Sequence, residues 1–234
     1  REGFDHQLEQ EGLRSRVAAA ELVFGVSAED VLAKRVGGVP DSVLVVGRRA
    51  PRGSTGFTRL GKVARRLVRT LPAPVVVVPP DFEVERAPGP VVLATSLRED
   101  SEGTARFAAR IARDWNRPLL VVNVIPGTAG VPPRYLPEVA RDEVVARGRL
   151  DAEHGLAIWQ RRHGLRDAES LVETGDSVDR LTGLAFERRA SLIVVGSRQL
   201  SLRARVYRSS VGSDLAGSAT VPVAVVPPPP PPTR

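Results

Sequence analysis

Unbroken runs of branched apolar residues punctuate the chain at Val43–Val46, Val75–Val78, Val91–Ala94, Leu119–Val122 and Leu192–Val195. None alternates with polar residues, which suits strands buried on both faces, as in a parallel sheet. The segments between them carry a helical period. Ser101 is placed to cap a helix over Glu102–Arg113, with Ala105, Ala108, Ala109 and Ala112 as its apolar stripe. Ser177 is placed to cap a helix over Val178–Arg189, with Leu181, Leu184 and Ala185 facing inward. Strands alternating with helices build right-handed βαβ units, so the pattern predicts an α/β fold in three layers, helices on both faces of a parallel sheet.

The pattern also repeats. Ser42–Gly47 matches Ser191–Gly196 at an offset of 149, Ala73–Pro79 answers Val221–Pro227 at 148, and Gly25–Asp30 answers Gly175–Arg180 at 150. Three registers this close indicate duplication. Residues 90–227 read as a complete five-stranded unit. Its strands are Val91–Ala94, Leu119–Val124, Ser170–Glu173, Leu192–Val195 and Val221–Val226, separated by helices Glu102–Arg113, Glu138–Arg162, Val178–Arg189 and Ser210–Ala216. Residues 1–80 correspond only to the later part of such a unit. The expected organisation is therefore two tandem domains, the first truncated by roughly sixty residues that would hold two strands and a helix. Residues 81–89 form the linker, and 228–234 a Pro-rich tail with the left-handed extended character of polyproline. The absence of any methionine fits a chain whose front is missing.

At these residues the chain resembles the universal stress protein family. VVLATSLREDSEGTARFAARIA is similar to that family's opening strand, turn and helix, LLVVNVIP to its second strand and LVETGDSVDRL to its third strand and turn. ASLIVVGSR resembles the fourth strand, ATVPVAVVP the fifth, and APVVVVPP repeats the fifth. The resemblance implies Rossmann-like or flavodoxin-like sheets in the order 3-2-1-4-5, with ligands at the carboxyl ends of strands 1 and 4. It also implies a non-enzymatic stress-response or ligand-sensing role, with ATP or another adenine nucleotide as the ligand. In ATP-binding members an aspartate ends strand 1, a backbone valine late in strand 2 meets the base, and strand 4 opens a G-x2-G-x9-G-S/T loop. Such a loop closes backbone N–H groups around phosphates at a helix N-terminus. Here Ser96 holds the aspartate position and Val124 the valine position. The loop starts at Gly196 and Ser197, with Gln199 and Ser209 at the next two glycine positions and Ser210 as the final hydroxyl. In the first unit Gly47 opens the loop, Ala50 takes the second position, and Gly61 and Lys62 stand for Gly-Ser, with Gly53 and Gly56 between. Lys62 offers a point charge to a phosphate. The candidate cofactor-binding set is thus Ser96, Val124, Gly196, Ser197, Ser209 and Ser210, with Gly47, Gly61 and Lys62. Fifth strands pair across a two-fold axis in this family. The resemblance therefore implies an intramolecular pseudo-dimer, Val75–Val78 antiparallel to Val221–Val226, and leaves homo-oligomers open beside it.

Composition narrows the remaining classes. The 234 residues carry 34 basic and 27 acidic side chains, a net charge of +7. All but Lys34 and Lys62 of the basic ones are arginine, a compositional habit that weakens any inference from charge to nucleic acid. Aromatics make up only 4%, too few for base-stacking platforms. The alternative to the nucleotide-binding reading is a nucleic-acid-associated protein using Lys62, Arg65, Arg66 and Arg69, which share one helical face opposite Val63, Leu67 and Val68. That stripe lacks interleaved aromatics, and a solvated outer face is the simpler account of it. No apolar run is long enough for a membrane span, and zero cysteines exclude thiolate metal sites and fit a reducing cytoplasm. His6, His154 and His163 form no metal-ligand spacing and are expected in solvent. Gly196-Ser197-Arg198 lacks the second glycine of a nucleophile elbow, and no catalytic constellation emerges.

Overall fold

The structure is a computed structural model and describes residues 2–37, 39–48, 60–98, 101–127, 138–197 and 210–228. The apolar runs form strands β1 (Leu44–Gly47), β2 (Val75–Val78), β3 (Val91–Thr95), β4 (Leu119–Ile125), β5 (Glu169–Thr174), β6 (Leu192–Gly196) and β7 (Val223–Val226). Helices are α1 (Glu2–Gln10), α2 (Ala28–Val36), α3 (Lys62–Thr70), α4 (Glu102–Asp114), α5 (Glu138–Arg162), α6 (Ser177–Glu187) and α7 (Val211–Ser218). All seven strands join one sheet in the order β1-β2-β7-β6-β3-β4-β5. Every neighbouring pair is parallel except β2 and β7, which pair antiparallel with Val75 opposite Val225, Val76 opposite Ala224 and Val77 opposite Val223. From β3 onward the strands lie in the order β5-β4-β3-β6-β7.

Because strand side chains alternate between faces, the sheet divides two cores. Val92, Leu120, Val122, Ile193, Val195, Val223 and Val225 meet Leu181 and Leu184 of α6, Leu215 of α7 and Leu67 and Val68 of α3. On the opposite face Val91, Leu93, Val121, Leu192, Val194 and Ala224 meet Ala105 and Ala108 of α4 and Leu156 and Trp159 of α5. The antiparallel register respects this division. Val75 and Val77 lie with Val223 and Val225 in the first core, while Val76 packs with Ala224 in the second. A slip of one residue would turn each set to the wrong face. At the sheet edge β1 leaves Val45 largely exposed, and Leu22, Val23, Phe24 and Val26 also face solvent.

Residues 81–89 are short and anchored. Val84–Arg86 makes a 3-10 turn, and the Gly89 N–H donates to the Arg189 carbonyl at 2.8 Å. A Cβ at Gly89 would fall 2.0 Å from the Arg188 oxygen, so only glycine permits this approach. Arg117 Nη1 donates to the Pro88 carbonyl at 2.6 Å.

Both expected helix caps need correction. Asp176, not Ser177, caps α6, its carboxylate accepting from the N–H groups of Val178 at 2.9 Å and Asp179 at 3.1 Å. Ser177 is the first helical residue. A carboxylate one position earlier reaches two first-turn donors and suits the positive helix pole. Ser101 precedes α4 but makes no capping bond, because its hydroxyl is engaged elsewhere. Among the described residues, no helix is long and apolar enough to cross a membrane.

Candidate functional site

The parallel strands β3, β4 and β6 point their carboxyl ends the same way, and the chain crosses from β3 to β4 on one side and later from β5 to β6 on the other. Loops diverge at such a switch point and leave a crevice. A cavity of about 160 Å³ occupies it. Ser96 after β3, Val124 in β4, Gly196 and Ser197 at the end of β6, and Ser210 before α7 all line this cavity. Elements separated by more than a hundred residues thus bring five of the expected residues together. Ser209 lies outside the described residues, as do Ala50, Gly53, Gly56 and Gln199 and residues 229–234 of the tail.

The turn out of β3 is held tightly. Leu97 adopts a left-handed backbone with φ 60°, and its N–H donates to Thr95 Oγ1 at 3.0 Å. Asn123 Nδ2, buried in β4, donates to the Thr95 carbonyl at 2.8 Å. A left-handed leucine is a strained conformation, and these bonds hold it in place. Trp159 reaches the same turn from α5, its Nε1–H donating to Ser101 Oγ at 3.0 Å and lying 3.4 Å from the Arg98 carbonyl. The Ser101 hydroxyl in turn donates to that carbonyl. With its proton on the Arg98 carbonyl and one lone pair taken by the indole, the Ser101 hydroxyl is held to the turn and makes no capping bond to α4. Ser210 does cap its helix, accepting from the Ser213 N–H at 3.2 Å and bonding Ser213 Oγ at 2.8 Å.

The N-termini of α4, α6 and α7 all face the cavity, through Ser101, Ser177 and Val211. Their dipoles make it favourable to anions. The described lining includes no Asp, Glu or His. Trp159, Ser101, Thr104 and Arg98 are site residues that sequence reasoning missed. Local spacing carries no signal that a tryptophan late in α5 folds back on the turn after β3.

His163 also differs from the expectation of a solvated residue. It is half-buried, its ring centroid lies 4.3 Å from that of Trp159, and Nε2 is buried without a hydrogen-bond partner. Burial pushes its pKa below the ordinary value, Glu102 pulls it back up, and Arg162 lowers it.

Gly47, Gly61 and Lys62 do not reach the cavity. They belong to β1 and α3, and two strands, β2 and β7, separate β1 from β6. Gly61 precedes α3 without a side-chain cap, and Lys62 is exposed. Arg48, the residue after Gly47, is buried, and its Nη1 lies 3.4 Å from the Ala216 carbonyl near the negative end of α7. Burial lowers its pKa, and Nε has no partner among the described residues. In the basic stripe, Arg66 pairs with Glu29 at 3.0 Å and Asp30 at 3.6 Å from α2. That neutralises the middle of the face a nucleic acid would use.

The model of the universal stress protein family matches residues 89–227. No curated protein matches the sequence. Among solved structures, a protein described as a universal stress protein from Pseudomonas aeruginosa UCBPP-PA14 shares 15% identity at a TM-score of 0.67, covering 97% of this chain and 77% of its own. A protein of unknown function from Pseudomonas aeruginosa PAO1 shares 15% at 0.68, covering 97% and 78%. A universal stress protein from Archaeoglobus fulgidus DSM 4304 shares 16% at 0.62, also covering 97% and 78%. At these identities the likeness shows the fold.

Proposed function

The chain belongs to the universal stress protein family, and from that premise we propose that it is a non-enzymatic, ligand-sensing member that binds an adenine nucleotide, ATP or another, in the cavity at the ends of β3, β4 and β6. The observation that carries this reading is the convergence of Ser96, Val124, Gly196, Ser197 and Ser210 on one cavity at the strand switch point. Three helix N-termini favour a ligand with negative charge, and the apolar wall of Leu93, Val122 and Val124 suits a flat base.

In the same reading, residues 1–80 and 90–227 are tandem units joined by 81–89, and residues 228–234 are a tail. The antiparallel pairing of β2 with β7 supports an intramolecular pseudo-dimer through fifth strands. The cysteine-free composition supports a cytoplasmic setting.

Equilibrium dialysis of the protein against labelled ATP and AMP tests the function. We expect saturation at one nucleotide per chain and weakened binding in Gly196→Val. A Cβ at Gly196 would stand 2.9 Å from Thr104 Oγ1 and displace the cavity wall. No retained nucleotide at millimolar concentration sinks the reading.

A further inference from the structure

Leu97, in the turn after β3, holds a left-handed backbone with φ 60°. That conformation is uphill for leucine, because its Cβ crowds the following carbonyl. A residue kept there at the mouth of a cavity calls for a use of the strain. Its neighbours Ser96 and Arg98 both line the cavity, whereas Leu97 does not and packs instead against the core between the sheet and α5. A Cβ on Gly155 of α5 would stand 3.2 Å from Leu97 Cδ1, so the glycine makes room for this side chain. Trp159 stands one helical turn further along the same face of α5. It is buried, it lines the cavity, and it ties down the residues after Leu97. Its Nε1–H donates to Ser101 Oγ at 3.0 Å and lies 3.4 Å from the Arg98 carbonyl, which also accepts from the Ser101 hydroxyl. Before Leu97 the turn is fastened to β4, because Asn123 donates to the Thr95 carbonyl and Thr95 Oγ1 accepts from the Leu97 N–H. The strained residue is thus held from both sides, by β4 ahead of it and by α5 behind it.

We propose that Trp159 is a positioning residue of the binding site: its indole keeps Leu97 left-handed, and that handedness keeps Ser96 and Arg98 turned to the ligand. This deepens the nucleotide reading and rests on it in taking AMP as the ligand. Return of Leu97 to an ordinary backbone would rotate the chain on one side of it against the other, and its two neighbours could not then both face the cavity. Without the indole that return is downhill, because the bonds that offset the strain are gone. Trp159 therefore acts on the ligand through Leu97, besides contributing its own part of the wall.

The experiment titrates AMP calorimetrically against the full chain, Trp159→Phe, Leu97→Asn and the double variant, and follows the Leu97 backbone by NMR without ligand. Phenylalanine keeps a buried ring and removes the N–H, and asparagine enters the left-handed region far more readily than leucine. We expect Trp159→Phe to weaken AMP by roughly three- to tenfold, the worth of a hydrogen bond expressed as affinity. With asparagine at position 97 the same change should cost less than about twofold, since the turn no longer needs holding and the two substitutions are coupled. A tryptophan that served only the packing of the core would cost the same in both backgrounds. In unliganded Trp159→Phe, the HN–Hα coupling and intraresidue NOE of Leu97 should lose the signature of positive φ that the wild type shows. Should Trp159→Phe not fold, Ser101→Ala, which removes the nearer acceptor of the indole, is read against the same expectations. Unchanged AMP affinity, equal losses in the two backgrounds, or a Leu97 that stays left-handed without the indole overturns the assignment. If AMP binds none of the proteins, wild type included, the nucleotide reading fails, and the Leu97 backbone in the unliganded variant alone decides the role of Trp159.

Discussion

His163 couples burial, charge and an aromatic contact in a single side chain. Its ring lies against Trp159, whose indole holds the turn after β3. Burial favours the neutral imidazole, and this outweighs the pull of Glu102. A histidine with a lowered folded pKa binds fewer protons in the native state than in the unfolded chain, so stability rises with pH across that interval. Above about pH 6.5, the ordinary histidine value, both states are neutral and the effect vanishes. As pH falls from there to the depressed folded value, stability is progressively lost. Urea midpoints measured from pH 8 to pH 5 should therefore fall below about pH 6.5 in wild type. The fall should be shallower in His163→Gln, and equal slopes in the two proteins would refute this role. The ring contact is with a residue one helical turn earlier, and what the sequence does not show is that Nε2 at this position is buried.

Among the elements, α3 shows how much a local pattern conveys. The opposition of Lys62, Arg65, Arg66 and Arg69 to Leu67 and Val68 is readable in nine residues, and the helix buries the latter two as that pattern requires. What the pattern leaves open is the partner surface, which is α7 and the β2–β7 region of the sheet, shared with α6. Leu67 is fully buried there, so Leu67→Ala should cost about 2–5 kcal/mol. A urea midpoint within experimental error of wild type would mean that α3 is not part of this core. The helix caps carry a different lesson. Ser101 and Asp176 both have cap chemistry, and which of them caps depends on whether another element has already claimed the side chain.

For the whole molecule, the continuous sheet matters most. Ladder bonds run from β1 to β5 through the β2–β7 pair, Arg110 of α4 pairs with Asp41 at 2.6 Å, and Gly89 is pinned to the turn after α6. With α3, α6 and α7 sharing one core, the two halves should unfold together. Thermal denaturation followed by far-UV circular dichroism and by tryptophan fluorescence should give one coincident transition. Two separated transitions would show the halves to be independent. By itself the sequence determined the α/β class, the places of most strands and helices, and five of the residues that line the cavity. Those features follow from unbroken apolar runs, helical periodicity and motif order, all of which are local along the chain. Tertiary structure alone decided that Ser101 serves Trp159 instead of its own helix, that Thr104 of α4 lines the cavity, and that Arg48 is buried against the end of α7. Each depends on contacts between residues far apart in sequence, and no local pattern encodes which groups those contacts satisfy.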